Sequence, residues 1–177
     1  VMIDEADNLE SSLINFISLI FTDYGFKKLG LTGPARRTAK SKLGIEPWID
    51  FARVAEVRAR DLLKSLDADI NDWDDISQTW QIKKIKWRER VNGTLHKIRM
   101  FLKHVNKTWL YDDREEGVYK FRPLWLTDNL VEDFLWKHGD RFVLMSASFL
   151  PVHILAKTLG MPESEIDYLQ VPSTFPS

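Results

Sequence analysis

The chain has 177 residues, 44% of them apolar and 29% charged, with a formal net charge of -1. This length and composition suit one ordinary domain or two small ones and exclude a disordered polymer. The absence of cysteine excludes disulfides, cysteine zinc sites and iron–sulfur ligands from these residues. No apolar run approaches the roughly 18 residues of a membrane span, and the acidic start is unlike a signal peptide, so we expect a cytoplasmic protein without membrane contact.

The chain opens with a short apolar run, residues 1–3, followed by the acids Asp4, Glu5 and Asp7. A buried parallel strand presents acids in this way at its C-terminal end, where the ligands of open α/β sheets sit. In P-loop enzymes an aspartate there holds magnesium, and a neighbouring acid positions the attacking water. The alternative is a helix N-terminus, because the same acids would complement its dipole.

Two long helices are predicted in the middle of the chain. Apolar residues at helical spacing indicate one helix over 46–66 and a longer one over 76–105. The acidic stretch 67–75 between them is interpreted as a solvated connection. Two amphipathic helices joined by a short turn should pack antiparallel.

The second helix is markedly basic. Residues 81–107 hold nine Lys and Arg against one acid, and the cations are Lys83, Lys84, Lys86, Arg88, Arg90, Lys97, Arg99, Lys103 and Lys107. Such an excess attracts polyanions, so we predict nucleic-acid contact for the cations from Lys83 to Arg99, and for Arg36 and Arg37 in a basic loop. The alternative is a solvated face that pairs with the acidic connection or with another domain.

The last third of the chain reads as mixed strand and helix. We predict strands over 108–111 and 118–124 joined as a hairpin, then a short helix over 130–136. A strand over 141–145 leads into Ser146-Ala147-Ser148, followed by a helix that Gly160 closes and a further strand over 166–171. This order suits an α/β layer, although serines also commonly cap helices.

The two ends together resemble a known family. Residues 1–10, with Asp4-Glu5-Ala6-Asp7, resemble the Walker B box of XPD/DinG-type superfamily-2 DNA helicases, and residues 143–150, with Ser146-Ala147-Ser148, resemble their Ser-Ala-Thr motif. Leu159-Gly160 and residues 172–176 resemble later segments of that family, whose arch domain occupies the long gap between the two boxes. Asp7 stands where histidine is commoner, Ser148 replaces threonine, and residues 173–175 read Ser-Thr-Phe instead of Ser-Pro-Phe.

The resemblance implies a role for each residue of the two boxes. Asp4 would hold the magnesium of ATP, Glu5 would activate the attacking water, and Asp7 would sense the γ-phosphate. The turn Ser146-Ala147-Ser148 would relay the nucleotide state to the DNA. The whole enzyme would use ATP and Mg²⁺ to move 5′ to 3′ on single-stranded DNA, in repair or replication. Its partners would be single-stranded DNA and the remaining helicase domains, with the helical insertion as a candidate surface for a protein partner.

The predicted fold is mixed α and β and predominantly helical. Residues 1–22 and 122–177 would be a remnant of a RecA-like motor domain, and 23–121 a helical arch-like insertion. The sequence has no Gly-x-x-x-x-Gly-Lys-Ser/Thr phosphate loop. The resemblance also implies a second motor domain that these residues do not include. We therefore expect a fragment of a larger helicase that is inactive alone. A non-enzymatic arch-type module that binds protein or nucleic acid, and a free-standing helical DNA-binding protein, remain as alternatives.

Overall fold

The computed structural model describes residues 1–33, 45–71, 78–148 and 151–171. These residues form a mixed α/β, predominantly helical structure, as predicted. In chain order the elements are β1 (Met2–Ile3), α1 (Leu9–Ile17), β2 (Leu19–Thr22), α2 (Asp23–Lys28), α3 (Glu46–Asn71), α4 (Gln78–His104), β3 (Trp109–Asp112), β4 (Val118–Pro123), α5 (Asp128–Phe134), β5 (Val143–Leu144) and α6 (Val152–Leu159). Among these described elements, no helix combines the length and apolarity that crossing a membrane requires.

The chain divides into two compact units, which are described separately. The terminal unit consists of Val1–Ile17 and Leu124–Ser177, and the central unit of Ser18–Pro123. Residues 18–22, which we predicted with the terminal segments, supply β2 of the central unit. They belong there because β2 pairs with β4, which lies at the other end of that unit.

The terminal unit contains a small parallel sheet and a helical core. Strands β1 and β5 pair in parallel, with Met2 opposite Val143 and Ile3 opposite Leu144. The buried apolar side chains come from α1, α5 and α6 and include Leu13, Ile17, Leu130, Val131, Leu155 and Leu159. The Trp136 indole N–H donates to the Leu159 carbonyl at 3.0 Å, which ties the turn after α5 to the end of α6. Helix α6 ends at Gly160, as predicted, and the φ of 63° there favours glycine.

The central unit is built on an antiparallel sheet of order β2-β4-β3. The predicted hairpin is confirmed, since β3 and β4 pair antiparallel. One face of the sheet carries aromatic side chains into the core. Phe121 is fully buried, with its ring 5.2 Å from Trp48 of α3 and 4.8 Å from Phe101 of α4. Aromatic packing therefore joins the sheet to both long helices.

Helices α3 and α4 form the predicted antiparallel pair. Cross-helix ion pairs run in opposite directions along the two sequences, from Asp69 with Lys84 to Glu56 with Arg99. The buried stripe of α3 is narrow because it consists largely of alanines, Ala52, Ala55 and Ala59. These small side chains allow the backbones to approach closely while Val91, Leu95 and Ile98 fill the buried face of α4.

Three other predictions about local structure were wrong. Residues 67–71 continue α3 instead of forming a connection, because Asp67 and Asp69 are held by cations of α4. Residues 166–171 form no strand, and Leu169 is 85% exposed, since no described strand lies beside them. The first strand is not buried in this chain, where Met2 is 70% exposed.

Candidate functional site

The parallel pairing of β1 and β5 brings the two sequence motifs to the same edge of the sheet. Backbone hydrogen bonds extend beyond the paired strands, from the Met145 N–H to the Ile3 carbonyl and from the Ala6 N–H to the Met145 carbonyl, both at 2.9 Å. Because the two strands are parallel, the segments that follow β1 and β5 leave the sheet at the same edge. Ala6 is buried there and fixes the acidic turn against β5.

One side-chain hydrogen bond joins the two motifs directly. The Ser146 hydroxyl donates to Asp7 Oδ1 at 2.6 Å, across 139 residues of sequence. The other oxygen, Asp7 Oδ2, accepts from the Asn8 side-chain amide at 3.4 Å. On the serine side, the Ser148 N–H donates to Ser146 Oγ at 3.3 Å. Each oxygen of the Asp7 carboxylate thus accepts a hydrogen bond. The bond to Ser146 links the position of one motif to that of the other.

The backbone of the acidic turn is strained at Glu5. Its φ of 51° and ψ of 42° place it in the left-handed region, and it is the one non-glycine residue with positive φ among the described residues. Such a conformation costs about 1–2 kcal/mol for an L-residue and is found disproportionately at functional sites. The Glu5 N–H donates to Asp4 Oδ1 at 2.9 Å, which stabilises the turn.

The acids of this turn are open to solvent. The side chains of Asp4, Glu5 and Asp7 are all exposed, whereas Ser146 is half-buried, and Ala147 and Ser148 are exposed. Across residues 1–33, 45–71, 78–148 and 151–171 there is no group of three or more His, Asp or Glu side chains arranged to hold a metal ion. One or two carboxylates are nevertheless the usual protein share of a magnesium site whose other ligands are phosphate and water oxygens.

The predicted nucleic-acid cations on α4 form two groups. Three of them pair with acids of α3: Lys84 with Asp69 at 2.5 Å, Arg88 with Asp67, and Arg99 with Glu56 at 3.2 Å. Lys84 also lies over the rings of Trp80 and Trp87, 4.6 and 5.8 Å from their centroids. The others, Lys83, Lys86, Arg90 and Lys97, are exposed. Arg36 and Arg37 lie outside the described residues.

The ion pairs around Glu56 affect its protonation. Hydrogen bonds from Arg60, at 2.8 Å, and from Arg99, at 3.2 Å, lower the pKa of the Glu56 carboxyl. This carboxylate therefore stays charged to lower pH than an isolated glutamate and holds Arg99 against α3. The exposed fraction of these arginine side chains, about half, limits what the ion pairs contribute to stability.

Sequence reasoning missed the acids that neutralise part of α4. The alternative of a basic face paired with acids was open, but Asp67 and Asp69 were placed in a connection and Glu56 was not considered. Glu56 and Asp67 are eleven residues apart, about three turns, a spacing that could have shown that they share one edge of α3, whereas Asp69, two residues further on, lies on the other side of the helix. Asn8, which orients Asp7, carried no sequence signal of its own beyond its position in the motif.

Comparisons with known protein families, with curated protein sequences and with solved structures found no match to this chain.

Proposed function

We propose that the chain is a segment of an ATP-dependent DNA helicase of the XPD/DinG type. In this proposal the terminal unit is part of a RecA-like motor domain and the central unit is the arch-like insertion. The observation that carries it is the 2.6 Å hydrogen bond between Ser146 and Asp7. Two motifs that resemble the hydrolysis box and the coupling turn of one family meet at the C-terminal edge of adjacent parallel strands, where α/β proteins bind ligands.

The acidic turn has the groups that phosphoryl transfer to water requires. Magnesium bound with ATP would supply charge neutralisation on the phosphates, and Asp4 is the carboxylate that would hold it. Glu5 follows on the same exposed turn and would accept the proton of the attacking water. The left-handed backbone of Glu5 directs the chain into the 3₁₀ turn Ala6–Asn8. In this proposal Asp4 and Glu5, although adjacent, therefore have different roles.

The hydrogen bond between the motifs supports a role in coupling. Asp7 would sense the γ-phosphate, and loss of that phosphate would alter the bond to Ser146. Because the Ser148 N–H also binds Ser146, a shift of the serine hydroxyl would move the whole turn of residues 146–148. In the proposed enzyme this turn passes the nucleotide state to the single-stranded DNA, on which the motor moves 5′ to 3′ during repair or replication.

A second candidate function is a non-enzymatic module that binds nucleic acid or protein. The exposed cations of α4 favour it, as does the lack of a phosphate loop in the sequence. The two candidates differ in what the acidic turn does. In the module, Glu5 has no chemical task and its replacement is silent.

The test measures ATP hydrolysis in the full-length parent protein that the proposal predicts. We expect that protein to carry a phosphate loop and a second motor domain, and its ATP turnover to be stimulated by single-stranded DNA. Glu5→Gln should lower turnover by about 10²–10⁴-fold, the usual contribution of a general base. Glu10→Gln is the matched control, because Glu10 is an exposed glutamate in the first turn of α1. Absence of a phosphate loop, or equal turnover in the two variants, would contradict the proposal.

A further inference from the structure

The cations of α4 are not equivalent, because only some of them are neutralised by α3. Lys84, Arg88 and Arg99 point toward acids of the neighbouring helix. Four other cations are exposed and make no ion pair with any described residue. We call these four the outer stripe: Lys83, Lys86, Arg90 and Lys97.

The outer stripe is a single row along one face of the helix. Its members are separated by three, four and seven residues, spacings that return to the same side of an α-helix. At 100° per residue they fall within an arc of about 60°, and at 1.5 Å per residue they extend over about 21 Å. The ion-paired cations leave α4 on its other flank, along α3.

Between Arg90 and Lys97 the surface of the helix carries little side-chain bulk. Gly93 lies between Arg90 and Lys97, and a Cβ added there would meet nothing within 4 Å. The Thr94 hydroxyl donates to the Arg90 carbonyl at 2.9 Å and so stays close to the helix. A linear ligand could therefore approach the helix backbone closely along the stripe.

We propose that the outer stripe binds the phosphodiester backbone of single-stranded nucleic acid, with each cation contacting a phosphate. A row of positive charge one residue wide matches a single chain of negative charges. A duplex fits less well, since its major groove, about 12 Å wide, admits one helix and α4 lies alongside α3. This inference rests on the ion-pair geometry of α4 and does not depend on the proposed ATP hydrolysis.

The expected signature is a salt dependence set by the number of cations. For single strands the logarithm of the binding constant falls by roughly 0.7 per phosphate contact for each unit of log salt concentration, so four contacts predict a slope of about -3. Neutralising the stripe should remove most of that slope. Neutralising cations elsewhere should leave it.

The experiment uses the whole 177-residue chain without nucleotide. Fluorescence anisotropy measures binding of a labelled oligothymidylate of about 16 nucleotides over a series of salt concentrations. The stripe variant carries Lys83→Gln, Lys86→Gln, Arg90→Gln and Lys97→Gln. The control variant makes the same charge change at four exposed lysines outside α4, with Lys27→Gln, Lys64→Gln, Lys137→Gln and Lys157→Gln.

We expect the stripe variant to bind at least about tenfold more weakly, with a slope near zero, and the control variant to bind like the original chain. Equal binding by the two variants would overturn the proposal. So would tighter binding to a duplex of the same length, or stripe-dependent binding to polyglutamate without binding to oligothymidylate, because the partner would then be duplex or an acidic protein.

Folding can be separated from binding in this test. The stripe side chains have no described ion-pair partner, so the circular dichroism spectrum and melting temperature should match those of the original chain. If the fourfold variant fails to fold, the single changes Lys86→Gln and Arg90→Gln should each bring the negative salt slope closer to zero by about 0.7. Unchanged slopes in both would again overturn the proposal.

Discussion

The central unit has a well-packed aromatic core beneath its sheet, whereas the sheet of the terminal unit is small and partly exposed. In the central unit Trp48, Phe101 and Phe121 are each exposed by 2% or less and pack against one another through the sheet and both long helices. The terminal unit has a sheet of two strands, each two residues long, with Met2 and Val143 exposed. A two-stranded sheet is marginally stable by itself. The residues with candidate chemistry thus lie in the unit with the smaller sheet.

The largest effect should come from removing a central aromatic side chain. Phe121→Ala should destabilise the central unit by about 3–5 kcal/mol, since it leaves a cavity among Trp48, Phe101 and Tyr111. Hydrogen exchange followed by mass spectrometry should show faster exchange in α4 and β4. Phe16→Ala is the control in the terminal unit, where Phe16 is 73% exposed, and should change stability by less than about 0.5 kcal/mol. Similar losses in the two variants would remove the contrast between the units.

The next effect concerns a polar contact that ties β4 to α2. The Tyr119 hydroxyl donates to Asp23 Oδ1 at 2.6 Å, and Tyr119 is buried. Tyr119→Phe removes the donor from a partly buried carboxylate and should cost about 1–3 kcal/mol in urea denaturation. Tyr24→Phe, at an exposed tyrosine of α2, should be neutral. A neutral Tyr119→Phe would mean that the hydrogen bond to Asp23 contributes little to the stability of the central unit.

Two glycines should respond to alanine with opposite sign. Gly93 is in the interior of α4 with open space around it, so Gly93→Ala should stabilise the central unit by about 1 kcal/mol. Gly160 ends α6 with a φ of 63°, so Gly160→Ala should destabilise the terminal unit by about 1 kcal/mol. Thermal denaturation measures both shifts. A loss of stability in Gly93→Ala would show that α4 is not a regular helix at that point.

The smallest effect is on the protonation of Glu56. Its pKa is lowered in the folded state, mainly by Arg60 and then by Arg99, so the stability it contributes is present above the ordinary glutamate range. That contribution is lost as the pH falls through the lowered folded value. Arg99→Gln should raise the pKa of Glu56 toward its ordinary value, which a pH titration followed by NMR can measure. Lys103→Gln is the control on the same helix. An unchanged Glu56 pKa would mean that Arg99 does not hold α3 in solution.

The long-range features of the fold explain where sequence reasoning succeeded and where it failed. Helices α3 and α4 could be predicted because their buried residues repeat at helical spacing, and α6 because Gly160 marks its end. The end of α3 was missed because Asp67 and Asp69 look like a solvated connection until Arg88 and Lys84 are placed beside them. Strand β2 was missed because its apolar residues continue the run from α1, and short apolar runs do not distinguish strand from helix.

The candidate site also combines features that the sequence could suggest with contacts that it could not predict. The contact between Asp7 and Ser146 follows from the parallel pairing of β1 and β5, which local patterns cannot predict across 139 residues. Only the resemblance of both ends to one family suggested that they meet. Which α4 cations pair with acids of α3 was beyond sequence reasoning for the same reason, because it depends on the register of α3 against α4.

The most direct test of the proposed helicase function is a double-mutant cycle between the two motifs, measured in the full-length parent protein that the proposal predicts. The measured quantity is ATP turnover stimulated by single-stranded DNA in Asp7→Asn, Ser146→Ala and the double variant. If the hydrogen bond between Asp7 and Ser146 couples hydrolysis to DNA, either single change removes it and the double variant should be no slower than the slower single variant. Losses that multiply in the double variant would show that the two residues act independently and would contradict the account.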